Sequence, residues 1–227
     1  LTDCIIHLLE RCGGGGQESD DSTTPTNDDG NGEGTSPNNN KKRHNRITLV
    51  GHSFGGIVST SLFTNPKYLQ YAKVFHNNVS PVDLIITLSA PHKFSPFRVD
   101  RSFESFYKDV RNSWKSEGIE ESEEEGKPKK KNPIDYADNI SKDVILISIS
   151  GGERDELVAS HLSDVGSTHL SHKTSFSILA GDIFASSGAA SKIGGDGFAC
   201  GLDHKAICWC SEILVWVKDV ISKNSIL

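Results

Sequence analysis

The stretch TLVGHSFGGIVST, residues 48–60, decides how the rest of the chain is interpreted. An apolar run leads into the motif G-H-S-F-G, and apolar residues at helical spacing follow that motif. A strand, a tight turn and a helix in this order predict a nucleophile elbow. In such an elbow Ser53 sits on the turn, and its hydroxyl points away from the backbone into a site.

The residues on either side of Ser53 suit this geometry. Gly51 and Gly55 are expected to give the strand and the helix room to approach each other. The backbone N–H of Phe54 begins the helix, where it can donate a hydrogen bond to a developing oxyanion. A serine hydroxyl is a weak nucleophile by itself, so this interpretation requires a base and an orienting acid further along the chain.

Apolar segments elsewhere in the chain predict an α/β fold. Buried strands are expected over residues 47–51, 82–92 and 143–152, with a weaker one over 175–180. Helices are expected over residues 1–12, 55–72 and 205–221. Buried strands that alternate with helices predict a mostly parallel sheet with helices on both faces.

Two polar segments interrupt this pattern. Residues 13–45 are rich in Gly, Ser, Asp, Thr and Asn and are predicted to be a disordered insert, because they cannot bury enough apolar surface to offset their ordering entropy. Residues 93–142 are predicted to form a polar cap or insert within a catalytic domain that spans 46–227, with 1–12 as a helix of the same domain. The aromatic start of the cap, Phe94–Tyr107, fits either contact with an acyl chain or a core helix.

Composition excludes several other functions. A formal net charge of -6 gives no electrostatic basis for binding nucleic acid. The basic run KPKKK at 127–131 follows EESEEE, which cancels most of its field. No apolar run is long enough to span a bilayer, and no signal peptide is visible. The 5 cysteines lack zinc spacing and are interpreted as free or buried thiols: Cys4, Cys12, Cys200, Cys208 and Cys210.

The acid is expected in the loop after the third strand, SGGERDELV at 150–158. Hydrolases with this elbow deliver their triad in the order serine, acid, histidine, on loops at the carboxyl ends of strands. Asp155 fits that position, between glycines and Val158. Glu153, Glu156 and Asp182 remain alternatives.

The base is expected just before the last helix, in GLDHKAICWC at 201–210, where His204 can reach back over the strand ends to Ser53. His92 follows the second strand and is an alternative that could line the pocket. His52 is interpreted as a packing or substrate-side residue, because neighbours on a tight turn point apart. The remaining candidates on polar loops are expected to be solvated: His161, His169 and His172.

Four segments together resemble the GPI inositol-deacylase family, the PGAP1-like serine hydrolases of the α/β-hydrolase fold. They are LVGHSFGGIVS (49–59), IITLSAPH (85–92), SISGGERDELV (148–158) and DHKAICWC (203–210). The resemblance implies removal of the fatty acyl chain from the inositol of a glycosylphosphatidylinositol (GPI) anchor at the endoplasmic reticulum membrane, with no metal or cofactor. It implies Ser53 as nucleophile, Asp155 as acid and His204 as base.

The chain also departs from that family. Nothing in residues 1–45 matches the strands that precede the elbow there, or the loop that supplies a second oxyanion N–H. We therefore expect an N-terminally truncated domain that is inactive alone and that reaches the membrane through segments outside this chain. Two other functions stay open: a serine esterase or lipase of the same fold acting on another lipid ester, and a non-catalytic scaffold.

Overall fold

A computed structural model describes residues 2–13, 46–76, 79–97, 101–114, 140–141, 143–166, 174–186 and 201–224, with only the backbone for 8–13. Most of the predicted disordered insert and the whole charge run at 116–131 lie outside these residues. His169, His172, Cys200 and the side chain of Cys12 lie outside them as well.

The core element is a four-stranded parallel sheet. Its strands are β1 (Ile47–His52), β2 (Val82–Leu88), β3 (Ile145–Ser150) and β4 (Ser175–Leu179). Their order in space, β1-β2-β3-β4, is their order in the chain, and every neighbouring pair is parallel. The carboxyl ends of all four strands therefore meet at one edge, where loops from different strands can combine their side chains.

Helices connect the strands and cover both faces of the sheet. They are α1 (Thr2–Gly13), α2 (Phe54–Thr60), α3 (Pro66–Phe75), α4 (Arg101–Asn112), α5 (Ser160–Ser163), α6 (Ala180–Ser186) and α7 (Ser211–Asn224). Ile85 and Leu146 pack in a cluster with residues of α1, α3 and α4, whereas Ile86 and Ile147 pack with residues of α6 and α7. This alternation confirms the predicted α/β fold with helices on both faces.

The prediction of a single helix over 55–72 was wrong, because the segment forms two helices, α2 and α3. A 3₁₀ turn (Ser61–Thr64) follows α2, and Asn65 then adopts an extended conformation before Pro66 opens α3. A residue before proline avoids the helical region, and the Asn65 side chain caps α3 by accepting from the Lys67 N–H at 3.0 Å. The last helix likewise begins at Ser211 rather than at 205, because Ala206–Cys208 form a separate 3₁₀ turn.

Three further features of the described residues bear on the sequence predictions. None of the helices that the structure describes has the length and apolar character needed to cross a bilayer. Within those same ranges, no three His, Cys, Asp or Glu side chains come together as a metal site. The thiols of Cys4, Cys208 and Cys210 are free.

Candidate active site

Ser53 lies on the turn between β1 and α2 in a strained backbone conformation. Its φ is 55° and its ψ is -130°. A left-handed φ in a residue with a side chain costs about 1–2 kcal/mol. Two backbone hydrogen bonds hold the turn, from Ser53 N–H to the Leu88 carbonyl at 2.8 Å and from Gly56 N–H to the Ser53 carbonyl at 3.0 Å. The sharp turn directs the hydroxyl away from both flanking elements.

Glycines around the turn allow the strands and α2 to approach each other closely. The prediction was correct for Gly51 and wrong for Gly55. A Cβ on Gly51 would lie 2.7 Å from the Gly55 carbonyl oxygen, so Gly51 is required as expected. Among the residues that the structure describes, a Cβ on Gly55 would meet nothing within 4 Å. Gly56 takes that role instead, because its Cβ would lie 2.5 Å from the Ala90 Cβ. The start of α2 is therefore close to β1 at Gly51 and, through Gly56, to Thr87 of β2 and to Ala90 just after it, so the second glycine lies one residue later than predicted.

The structure brings together the three side chains that the sequence analysis selected. His204 Nε2 lies 2.9 Å from Ser53 Oγ, and His204 Nδ1 lies 3.1 Å from each carboxylate oxygen of Asp155. A carboxylate only accepts hydrogen bonds, so Nδ1 carries the hydrogen. The Nε2 of the neutral ring then presents its lone pair to the Ser53 hydroxyl, which donates. This arrangement can remove a proton from the serine.

Asp155 is fixed in its loop by its own backbone neighbours. It is 3% exposed, and its Oδ1 accepts hydrogen bonds from the backbone N–H groups of Leu157 (3.1 Å) and Val158 (2.8 Å). Both contacts orient the carboxylate toward the His204 ring. The alternatives Glu153 and Glu156 are exposed in the same loop.

The loop that carries His204 is tied to the loop that carries Asp155. Leu202 N–H donates to the Gly151 carbonyl at 2.6 Å. Gly201 has φ 81°, and a Cβ there would overlap the Gly151 carbonyl oxygen. Asp203 then accepts from the Lys205 and Ala206 N–H groups, at 2.9 and 2.8 Å. These bonds, that of Ala206 first, lower the pKa of Asp203.

Phe54 connects the turn to the predicted cap segment. Its ring stacks on Phe103 of α4, with centroids 5.2 Å apart and an interplanar angle of 22°. Farther along α4, Tyr107 and Val110 are buried. Within the aromatic segment, α4 thus contributes to the core and contacts the residue after Ser53, whereas Phe94 and Phe97 are exposed. The Phe54 N–H lies in the first turn of α2, where helical N–H groups lack an intrahelical acceptor.

Of two other histidines, His92 differs from its predicted role in lining the pocket, whereas His52 packs on His204 as a packing residue, with ring centroids 4.6 Å apart. His92 is buried against Thr87, with 2.9 Å between Nε2 and Oγ1, instead of lining an open pocket; burial lowers its pKa to about 4. His52 contacts the His204 loop, where its Nε2 lies 2.7 Å from the His204 carbonyl oxygen. No sequence pattern indicates this contact, because it joins positions 152 residues apart.

Comparison with protein families and with known proteins found similar sequences. The family model described as PGAP1-like alpha/beta domain matches residues 35–223. GPI inositol-deacylase of Phaeosphaeria nodorum is 27% identical over 167 residues, which cover 74% of this chain and 13% of that protein. GPI inositol-deacylase of Schizosaccharomyces pombe is 29% identical over 166 residues, 73% of this chain and 11% of that protein. The chain therefore spans only 11–13% of the length of these relatives.

Proposed function

The chain belongs to the PGAP1-like alpha/beta domain family, and from this premise we propose that it is a serine hydrolase that removes the acyl chain from the inositol of GPI anchors. The names of the two relatives reported above support the proposed substrate, since both proteins are named GPI inositol-deacylase. The observation that carries the chemistry is the His204 ring, which bridges Ser53 Oγ at 2.9 Å and the Asp155 carboxylate at 3.1 Å.

The proposed reaction has two halves. Ser53 Oγ attacks the acyl carbonyl while His204 Nε2 takes the hydroxyl proton, and Asp155 holds the imidazole and stabilises its positive charge. The carbonyl oxygen becomes an oxyanion that accepts from the Phe54 N–H. Collapse breaks the ester bond, and His204 returns the proton to the departing inositol oxygen. Water, deprotonated by His204, then attacks the acyl-enzyme, which releases the fatty acid and restores Ser53.

The substrate also determines where the reaction would occur. An acylated GPI anchor is a lipid, so the enzyme must work at a bilayer surface. By family resemblance we place that surface at the endoplasmic reticulum membrane, with the GPI lipid or a GPI-anchored protein as the partner.

Labelling with a fluorophosphonate probe tests the chemistry separately from the substrate. The full-length protein is expected to be labelled, and the Ser53→Ala variant is not. Asp155→Asn is expected to lower the labelling rate by up to about 10⁴-fold, because the imidazole loses its orienting charge. Glu156→Gln, an exposed carboxylate of the same loop, serves as the matched control and keeps the wild-type rate. A folded wild-type protein that remains unlabelled would favour the scaffold interpretation.

A cell assay tests the substrate. Cells that lack their own deacylase would receive either the wild-type protein or Ser53→Ala. Their GPI anchors would then be treated with phosphatidylinositol-specific phospholipase C, which an acylated inositol blocks. We expect the wild type alone to restore cleavage. A protein that is labelled by the probe but fails to restore cleavage would be a serine esterase with a different lipid substrate.

A further inference from the structure

His52 precedes the proposed nucleophile and forms a hydrogen bond with the backbone of the proposed base. Its Nε2 lies 2.7 Å from the His204 carbonyl oxygen. The two imidazole rings also pack together, with centroids 4.6 Å apart and an interplanar angle of 44°. A carbonyl oxygen only accepts, so Nε2 of His52 carries the hydrogen and donates it. This nitrogen is thus committed to the loop.

This bond closes a small ring of contacts around the site. The peptide bond joins His52 to Ser53, the Ser53 hydroxyl donates to His204 Nε2 at 2.9 Å, and the His204 carbonyl accepts from His52. The position of the base relative to the nucleophile is therefore fixed from two directions. Without the His52 donor, that direct tie between the elbow and the backbone of the base would be lost.

The other contacts of the His204 loop do not replace this one. The Leu202 N–H bond to Gly151 ties the loop to the acid loop, not to the elbow. The Asp203 carboxylate bonds lie within the loop itself. The bond between His204 and Asp155 orients the ring but leaves the distance from Ser53 to the His204 backbone undetermined. Ile207 of the same loop packs in the core with residues of β2, but His52 makes a direct hydrogen bond between the elbow and the His204 backbone.

We propose that His52 is a positioning residue that holds the base loop against the elbow, so that His204 Nε2 stays within hydrogen-bond distance of Ser53 Oγ. This role rests on the proposed serine-hydrolase chemistry. His52 acts through His204 and does not itself exchange a proton with the serine. A donor at this position should therefore matter more than the imidazole ring as such.

Two substitutions separate the donor from the ring. His52→Phe retains a ring that can pack on His204 but has no donor, whereas His52→Gln retains an N–H donor without the ring. His161→Phe, an exposed histidine on α5, is the matched control. The readouts are the fluorophosphonate labelling rate, the kcat and KM for a soluble acyl ester, and thermal unfolding, all on the full-length protein.

We expect His52→Phe to lower the labelling rate and kcat by about 10- to 100-fold, since misplacement by about 1 Å can cost a hundredfold. The KM should stay near the wild-type value, and His52→Gln should recover most of the rate. The control variant should match the wild type in every readout.

The role is overturned if folded His52→Phe is labelled at the wild-type rate, or if His52→Gln is as slow as His52→Phe. If His52→Phe does not fold, the wild type provides the test. Nuclear magnetic resonance should then detect coupling across the hydrogen bond between ¹⁵N-labelled His52 and the ¹³C-labelled His204 carbonyl, and its absence overturns the role. An unlabelled wild-type protein refutes the hydrolase chemistry as well, whereas a labelled wild type with unaffected variants refutes the positioning role alone.

Discussion

Replacing Gly201 with alanine should separate the acid loop from the base loop. Gly201 has φ 81°, and its Cβ would overlap the Gly151 carbonyl oxygen and lie 2.9 Å from Gly152 Cα. Carbon atoms in favourable contact are about 3.5–4.0 Å apart, so the contact with Gly152 Cα alone requires the loops to separate by roughly 0.5–1 Å, and the overlap with the carbonyl oxygen requires more. The left-handed φ adds about 1–2 kcal/mol of strain for a residue with a side chain. We expect a loss of about 2 kcal/mol in the free energy of unfolding.

The larger effect of this substitution should be on the reaction rate. The bonds from His204 Nδ1 to Asp155 are 3.1 Å long, near the upper end of the normal range, so even a small separation breaks them. A displacement of about 1 Å can cost about a hundredfold in rate. We therefore expect Gly201→Ala to lower the labelling rate of Ser53 by about a hundredfold while the protein still folds.

Fluorophosphonate labelling kinetics and thermal unfolding of the full-length variant provide the measurement. The matched control is Gly166→Ala, where the added Cβ would meet, among the described residues, only the Asp164 side chain, at 3.3 Å. That control should keep the wild-type labelling rate. A Gly201→Ala protein with wild-type labelling and melting temperature would refute the inference that the Gly151–Gly201 contact aligns the acid with the base.

The remaining predictions concern stability and are measured by denaturant unfolding. Gly55→Ala should retain the fold, because the added Cβ has open space among the described residues. Gly56→Ala should lower the free energy of unfolding by more than about 1 kcal/mol, because its Cβ would overlap with its neighbours. Equal losses in the two variants would contradict the role given to Gly56. Tyr107→Phe should be neutral or stabilising, because the buried Tyr107 hydroxyl has no partner in the described part of the chain. Tyr68→Phe should lower the free energy of unfolding by about 1 kcal/mol, because it removes a 2.8 Å hydrogen bond to Ser80. A larger loss for Tyr107→Phe than for Tyr68→Phe would contradict this prediction. Burial lowers the pKa of His92 from 6.5 to about 4, so the unfolded chain binds the proton first as the pH falls. Neutral His92 contributes fully to the free energy of unfolding above pH 6.5, and about 3 kcal/mol of this contribution is lost as the pH falls from 6.5 to 4. The His92→Gln variant should lose less stability than the wild type over this pH range. An equal loss in both proteins would contradict the effect of burial.

The fold could be predicted from the sequence because its signals are local. A buried parallel strand is a short apolar run, and four such runs appear in the chain at the observed strands. The candidate site followed from topology, because loops at the carboxyl ends of parallel strands share one edge. Asp155 and His204 both lie on such loops, where the His204 ring contacts both Asp155 and Ser53.

The errors arose where packing or a competing local preference decided the outcome. The break between α2 and α3 has a sequence signal, Asn65 before Pro66, which was outweighed by the helical spacing of apolar residues. The requirement for Gly56 rather than Gly55 depends on contact with Ala90, a residue from another element. Neither the His52 contact nor the burial of His92 leaves a pattern in the residues around it.

Ser53 and His204 are 151 positions apart in the chain, and this separation determines when the proposed site can form during synthesis. The ribosome synthesises β1 and Ser53 long before it synthesises His204. A nascent chain that ends before position 204 lacks His204, the base that we propose accepts the serine proton. On the proposed mechanism, acyl-transfer capacity arises only when translation has passed the loop that carries His204 and that loop has docked on the sheet.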